Sequence, residues 1–292
     1  MVRRFSPAFS TAAARNRVNH DTVIVVPCYN EAARLDVQAF AAFLAQSRGV
    51  SFVMVDDGSS DHTREVLEQL RAADPRRIAV LGLGENVGKA EAVRRGVKAA
   101  LRRAPAMIGY WDADLATPLS SIERFRDVLG QRPELLLVMG SRVGLLGRRI
   151  ERSWQRHFTG RAFATAASLV LGLAVYDTQC GAKLFRVTPE TTALFDRPFQ
   201  TRWIFDVEIL ARMVAARTRN EQGAAADVIY EYPLERWQDV AGSRLKPRDF
   251  VVAAIDLAMI RRQFARRRPA HPAANEAALP VFEPQSIGSK AA

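Results

Sequence analysis

Ala106-Met-Ile-Gly-Tyr-Trp-Asp-Ala-Asp114 is an apolar run that ends on two carboxylates. Short uninterrupted apolar runs of this kind read as buried strands. Beyond the strand, residues two apart point the same way, so Asp112 and Asp114 can face one cation. Mg2+ typically takes one or two protein carboxylates and completes its shell with water and phosphate oxygens. An Asp-x-Asp tripeptide also arises by chance in surface loops. What singles this one out is its place at a strand end, beside other acidic strand ends.

Upstream, Thr22-Val-Ile-Val-Val26, Ser51-Phe-Val-Met-Val55 and Ile78 to Leu81 repeat the short apolar pattern. Between them, Leu35 to Gln46, Asp61 to Ala73 and Gly88 to Arg103 have helical spacing, with Asp61 placed as an N-cap. A helix over Ser121 to Leu129 and a strand over Leu135 to Met139 continue the alternation. Strands alternating with helices of this length predict βαβ units in a mostly parallel sheet flanked by helices. The second half is less regular: helices over Ser153 to Gly172 and Phe205 to Ala216, a strand over Val228 to Tyr232, and an amphipathic helix over Asp249 to Phe264.

Ligands of open α/β sheets bind outside the carboxyl ends of the strands. Those ends carry Pro27-Cys-Tyr-Asn-Glu31, Asp56-Asp-Gly-Ser-Ser-Asp61, Gly84-Glu-Asn-Val-Gly-Lys89 and Asp112-Ala-Asp114, so polar and acidic groups gather on one edge. Asp56-Asp57-Gly58 suits a turn, in which Gly supplies positive φ. Two adjacent acids exceed what a turn needs, and carboxylates accept hydrogen bonds from a base N–H or ribose hydroxyls. Gly82-Leu-Gly84-Glu-Asn-Val-Gly88 is one residue too long for a dinucleotide fingerprint, and Ala90 stands where a P-loop needs a hydroxyl. Nicotinamide enzymes and P-loop ATPases are therefore disfavoured.

With 292 residues, 48% hydrophobic and 25% charged, the chain has a full core and is neither disordered, collagen-like nor a coiled coil. Cys28 and Cys180 cannot build a disulfide framework, and a reducing compartment is expected. The longest uncharged stretch, Ala162 to Tyr176, is shorter than the roughly 20 apolar residues of a spanning helix. No G-x-S-x-G is present and the histidines are scattered, which leaves nucleophilic catalysis little support. The expected organisation is a disordered basic arm over 1–20, one domain over 21–264 and a disordered Pro/Ala-rich basic tail over 265–292.

Lys and Arg number 42 against 31 acids, a net charge of +11 that favours anionic partners. Terminal arginines such as Arg3, Arg4 and Arg266 to Arg268 suit an anionic membrane surface. A second group, Arg142, Arg152, Arg156, Arg161, Lys183 and Arg244, sits around polar loops where a guanidinium fork suits phosphate. No nucleic-acid recognition motif accompanies the charge.

Taken together, V-V-P-C-Y-N-E (25–31), V-D-D-G-S-S-D (55–61), N-V-G-K (86–89) and D-A-D (112–114) resemble the family-2 glycosyltransferases of GT-A fold in order and spacing. Asp112 to Pro118, Gly140-Ser-Arg142, Asp177 to Phe185 and Arg202 to Glu208 resemble the dolichyl-phosphate β-glucosyltransferase branch. The resemblance covers roughly residues 22–260.

The resemblance implies transfer of glucose from UDP-glucose to a polyprenyl phosphate with inversion. Pro27, Tyr29, Glu31 and Asp57 would line the uridine pocket, with Asp56, Asn86, Lys89 and Asp112 nearby. Asp112 and Asp114 would hold Mg2+ or Mn2+. Arg142, Arg152, Arg156 and Arg244 would grip the acceptor phosphate, although relatives often carry Lys where Arg244 stands. Asp177, or else Asp206, would serve as a general base if the acceptor were a hydroxyl; Asp177, Arg142 and Arg244 are the expected catalytic groups. Relatives commonly have a transmembrane anchor, so the expectation here is peripheral attachment at a cytoplasmic membrane face. The alternatives are another sugar or a soluble acceptor, and a non-catalytic basic protein that binds membrane or nucleic acid.

Overall fold

The computed structural model describes residues 22–151, 154–238 and 247–265. The expected arm over 1–20, the tail beyond 265, Arg152 and Arg244 lie outside the described residues, as does the side chain of Arg156.

The first elements are β1 (Thr22–Cys28), α1 (Val37–Gln46), β2 (Val50–Asp56), α2 (Thr63–Ala73), β3 (Ile78–Gly82), α3 (Lys89–Leu101) and β4 (Met107–Trp111). Then come α4 (Ser121–Gln131), β5 (Leu137–Ser141), β6 (Arg149–Glu151), α5 (Trp154–Leu171), β7 (Ala182–Arg186) and α6 (Pro189–Ala193). The last are α7 (Phe205–Arg219), a 3-10 turn (Ala225–Val228), β8 (Ile229–Pro233), β9 (Arg236–Gln238) and α8 (Pro247–Ala265).

A seven-stranded sheet runs in the order β3-β2-β1-β4-β7-β5-β8, and β6 pairs with β9 beside it. β7 is antiparallel to both β4 and β5, while the other pairs of the large sheet are parallel. Strands buried on both faces have to be apolar throughout, which is what Val23 to Val26 supplies. Val23 and Val25 face a layer with Val93 and Val97 of α3 and Ile209 of α7. Ile24 and Val26 face Phe40 of α1, Leu67 of α2 and Phe125 of α4.

Three readings from the sequence are corrected by the fold. β7 has no counterpart among the expected strands and starts inside the polar loop expected up to Lys183, because Lys183 interrupts its apolar pattern. That lysine is fully buried and paired with Asp206, so it is not one of the phosphate-facing cations. Asp61 does not cap α2, which begins after His62; instead its carboxylate accepts from the N–H groups of Ala32 and Thr63. β5 extends to Ser141, two residues beyond the expected end, and so delivers Arg142 at the sheet edge.

Candidate active site

From β1 the chain steps outward to β2 and β3 on one side and then crosses back through α3 to β4 on the other, so the order of strands reverses between β1 and β4. A crevice opens at such a reversal. The loops after β1, β2 and β4 meet there.

The first two loops are laced together. Glu31 N–H donates to Thr63 Oγ1 at 2.7 Å, Asn30 N–H to Ser59 Oγ at 3.1 Å, and Ser60 N–H to Asn30 Oδ1 at 2.9 Å. Asp56, buried, accepts from Ser59 N–H at 3.0 Å. Asp57 receives Val87 N–H on one oxygen at 2.8 Å and Gly88 N–H on the other at 2.9 Å. It thereby braces the loop that starts α3, and burial raises its carboxyl despite those two donors. Gly58 holds φ +66°, and a Cβ there would collide with the Glu85 backbone. Tyr29 remains 46% exposed at the mouth, beside the half-buried Pro27, and Asn86 is exposed on the facing loop.

Asp112 and Asp114 follow β4 as expected. Lys89, the first residue of α3, places its ammonium 2.5 Å from Asp112 Oδ1. Desolvation lowers the Lys89 pKa, but Asp112, Asp206 and Asp114 outweigh it, so the ammonium stays charged. Burial and then the charge of Asp112 raise the Asp114 carboxyl, partly offset by Ala116 N–H and by Lys89. Glu31 is raised chiefly by burial and further by Asp114 and Asp112, although Arg34 opposes this. Among the described residues its buried Oε2 has no hydrogen-bond partner. Gly181 backs the pair: its carbonyl accepts Asp112 N–H at 3.1 Å, and a Cβ there would strike the Asp112 carboxylate. Adjacent carboxylates that repel each other and already draw an ammonium fit a hard divalent cation.

The opposite wall is a braced arginine. Arg142 Nε and Nη2 donate to the two oxygens of Asp177 at 2.6 and 2.8 Å, and Arg142 N–H donates at 3.0 Å. The guanidinium carbon sits 5.2 Å from the centre of the Trp237 ring. Glu231 on β8 accepts the N–H groups of Tyr176 and Asp177, each at 2.8 Å, which fixes the loop carrying Asp177. Desolvation lowers the Arg142 pKa, but Asp177 more than reverses it, so the guanidinium is charged. Asp177, expected as a proton acceptor, is thus the partner of Arg142. Asp206, the other candidate, accepts from Lys183 Nζ at 2.6 Å and from Tyr110 Oη at 2.5 Å. Lys183 also donates to the carbonyls of Thr178 and Cys180, at 3.0 and 2.8 Å, clamping the same loop from beneath.

Arg202 was not foreseen as a site residue. Its guanidinium nitrogens lie 3.1 Å from where a Cβ on Gly88 would be, over the start of α3, and its charge acts on Asp57. It opens the Arg202 to Glu208 motif, which was the available signal. Gly181 lies in the Asp177 to Phe185 motif, whereas Glu231 had no signal, because its role exists only across the fold.

A parallel sheet that reverses at β1 and β4, with acidic loops over the reversal, is the GT-A arrangement of a glycosyltransferase. Glucosyl-3-phosphoglycerate synthase from Mycobacterium tuberculosis, solved with Mn2+, UDP-glucose and glycerol 3-phosphate, superposes with TM-score 0.58 at 17% identity, over 84% of this chain and 80% of that one. A mannosyltransferase from Pyrobaculum calidifontis, in complex with GDP-Man and Mn2+, gives 0.55 at 16% identity, over 86% and 66%. Residues 23–190 match the family model for glycosyl transferase family 2, and the chain belongs to that family and is a glycosyltransferase. Its curated relatives include a dolichyl-phosphate beta-glucosyltransferase from Trichomonas vaginalis, 32% identical over 82% of this chain and 70% of the relative. The dolichyl-phosphate beta-glucosyltransferase of Drosophila melanogaster is 33% identical over 77% and 69%.

Proposed function

We propose that the chain transfers glucose from UDP-glucose to a dolichyl-type polyprenyl phosphate, inverting the anomeric carbon, at the cytoplasmic face of a membrane. The observation that carries the reading is the pairing of two walls: carboxylates Asp112 and Asp114 on one side, and on the other Arg142 locked by Asp177. The names of the relatives support the glucosyl and lipid-phosphate parts.

Asp112 and Asp114 would hold Mg2+ or Mn2+, which when bound places positive charge against the departing diphosphate. Lys89, freed from Asp112, adds a donor for the phosphate oxygens at the N-terminus of α3, where helix N–H groups also favour anions. Tyr29, Pro27, Glu31 and Asp56 line the side where the uridine would sit, and Asp57 holds the Asn86 to Lys89 loop against it. Arg142 keeps Nε and Nη2 on Asp177 and leaves Nη1 outside the pair for the acceptor phosphate. Arg152, Arg156 and Arg244 are proposed to join it. A phosphate is already anionic near pH 7 and attacks without a base. This agrees with Asp177 and Asp206 both being held in ion pairs.

The test is transfer of radiolabelled glucose from UDP-glucose to a short-chain polyprenyl phosphate, with Mg2+ and with EDTA. UDP-galactose, UDP-GlcNAc and GDP-mannose serve as competing donors. Metal-dependent labelled lipid, lost in Asp114→Asn, is the expected result. Hydrolysis of one donor without lipid product would move the reading to a soluble acceptor. Inactivity with every donor would overturn it.

A further inference from the structure

α8 is apolar on two opposite sides. Ala253, Leu257 and Ile260 point inward and join the core cluster with Ala167 and Leu171 of α5. Val251, Val252 and Ile255 point outward, 62%, 48% and 62% exposed, and Ala258 is exposed on the same side. α5 packs against α8 and repeats the pattern, with Leu169 76% exposed and Ala162 and Thr165 exposed at helical spacing from it. A surface helix of a globular protein normally turns charged or polar groups to solvent on this side.

Charge on these helices is mostly basic: α8 carries Arg248, Arg261 and Arg262 against Asp249 and Asp256. From 159 to 171 there is no acidic residue, and from 251 to 264 there is only Asp256. Asp256 is half-buried, and its carboxyl is raised by burial and by Glu208 of α7, so it belongs to the inner side. Arg261 and Arg262 are exposed at the end of α8, and the sequence continues to Arg266-Arg267-Arg268. On the inner side of α5, Phe163 packs 6.5 Å from the ring of Trp203, itself 38% exposed and next to Arg202. Among the described residues no helix is long and apolar enough to cross a membrane.

We propose that the outer face of α5 and α8, centred on Leu169, Val251 and Ile255, docks on an anionic bilayer surface, with Arg261 and Arg262 meeting lipid phosphates at its edge. This deepens the lipid-acceptor reading and rests on it: a polyprenyl phosphate stays in its bilayer, so the enzyme has to come to it. Apolar side chains on the two helices enter the interface while the arginines add attraction to anionic headgroups.

The experiment is flotation of the full-length protein with acceptor-free vesicles, either phosphatidylcholine alone or phosphatidylcholine with phosphatidylglycerol. Wild type co-floats with the anionic vesicles and much less with the neutral ones. Leu169→Asp with Ile255→Asp lowers the bound fraction roughly tenfold or more, because charges on the inserted face oppose insertion. Leu169→Ser with Ile255→Ser, a milder pair, gives a smaller loss in the same direction; circular dichroism and the thermal midpoint confirm that both pairs fold. Undiminished flotation of the folded face variants overturns the proposal, and so does flotation lost only on removing the arginines. A dimer of wild type in light scattering that these variants make monomeric, with flotation unchanged, assigns the face to a second copy. Since the vesicles hold no acceptor, failure to dock and failure to transfer glucose are read separately.

Discussion

From β1 to β4 the strands are parallel, and the loops over the crevice are held chiefly by backbone N–H groups donating to side chains, Glu31 N–H to Thr63 and Val87 and Gly88 N–H to Asp57, with ion pairs only at half-exposed positions such as Lys89–Asp112. From β5 onward the sheet takes in the antiparallel β7, and the loops are held by buried ion pairs, Arg142–Asp177 and Lys183–Asp206. The difference follows from what each side must present. The side proposed to take the nucleotide offers backbone donors and carboxylates, which loops can aim. On the other side Arg142 and Lys183 are cations largely or wholly removed from water, and each needs a carboxylate beside it to stay charged and still; on the proposed function Arg142 would face the anionic acceptor.

Neutralising the acidic side should have the largest effect. Asp114→Asn is expected to lower kcat by about 10²–10³-fold without unfolding the protein, the scale of losing one preorganised electrostatic contact in a transition state. Initial rates over a Mg2+ titration check it, and retention of full activity would dissolve the contrast between the two walls.

Next comes the buried lysine. Lys183→Met leaves Asp206 without its cation, and removing one partner of a buried pair costs about 3–5 kcal/mol. Urea melts should show this loss, whereas Lys89→Met, at the open crevice, should change stability far less. Equal losses would mean that the two sides are not built differently.

Asp177→Asn should lower kcat by roughly 10-fold or more through a displaced Arg142. The pH profile separates the two roles. If Asp177 took a proton, the acid limb of kcat, where rate rises as the carboxyl ionises, would vanish in the variant; as the partner of Arg142 it leaves the shape intact. Arg142→Lys should not rescue the rate, since an ammonium cannot make the paired contact. A double variant should be hardly worse than either single one.

The smallest effect concerns Cys180, whose thiol burial pushes up to about 11, with the charge of Asp177 adding to it. A raised thiol pKa keeps the group protonated at pH 8, so the thiolate is about one part in a thousand. Thiol reagents should label Cys180 only on unfolding, and fast native labelling would show that this wall opens.

The acidic side of the crevice is legible because its signals are local. An apolar strand and the loop after it are adjacent in sequence, and Asp56, Asp57, Lys89, Asp112 and Asp114 all lie within a few residues of a strand end or helix start. Even there, the loop-holding role of Asp57 is not legible, because its partners, Val87 and Gly88, are backbone groups that composition does not reveal. On the other side β7 was hidden by Lys183. A lysine inside a strand breaks the apolar pattern unless the reader knows that Asp206, on another element, neutralises it.

By itself the sequence determined the alternation of strands and helices, the crowding of acids at one sheet edge and the order of motifs, since each depends on neighbours a few residues apart. Tertiary structure alone decided that Asp177 pairs with Arg142, that Gly181 leaves room for Asp112, and that α8 keeps an apolar side in solvent. The first two turn on groups 35 and 69 residues apart, and which of them meet is set by the packing of the whole sheet.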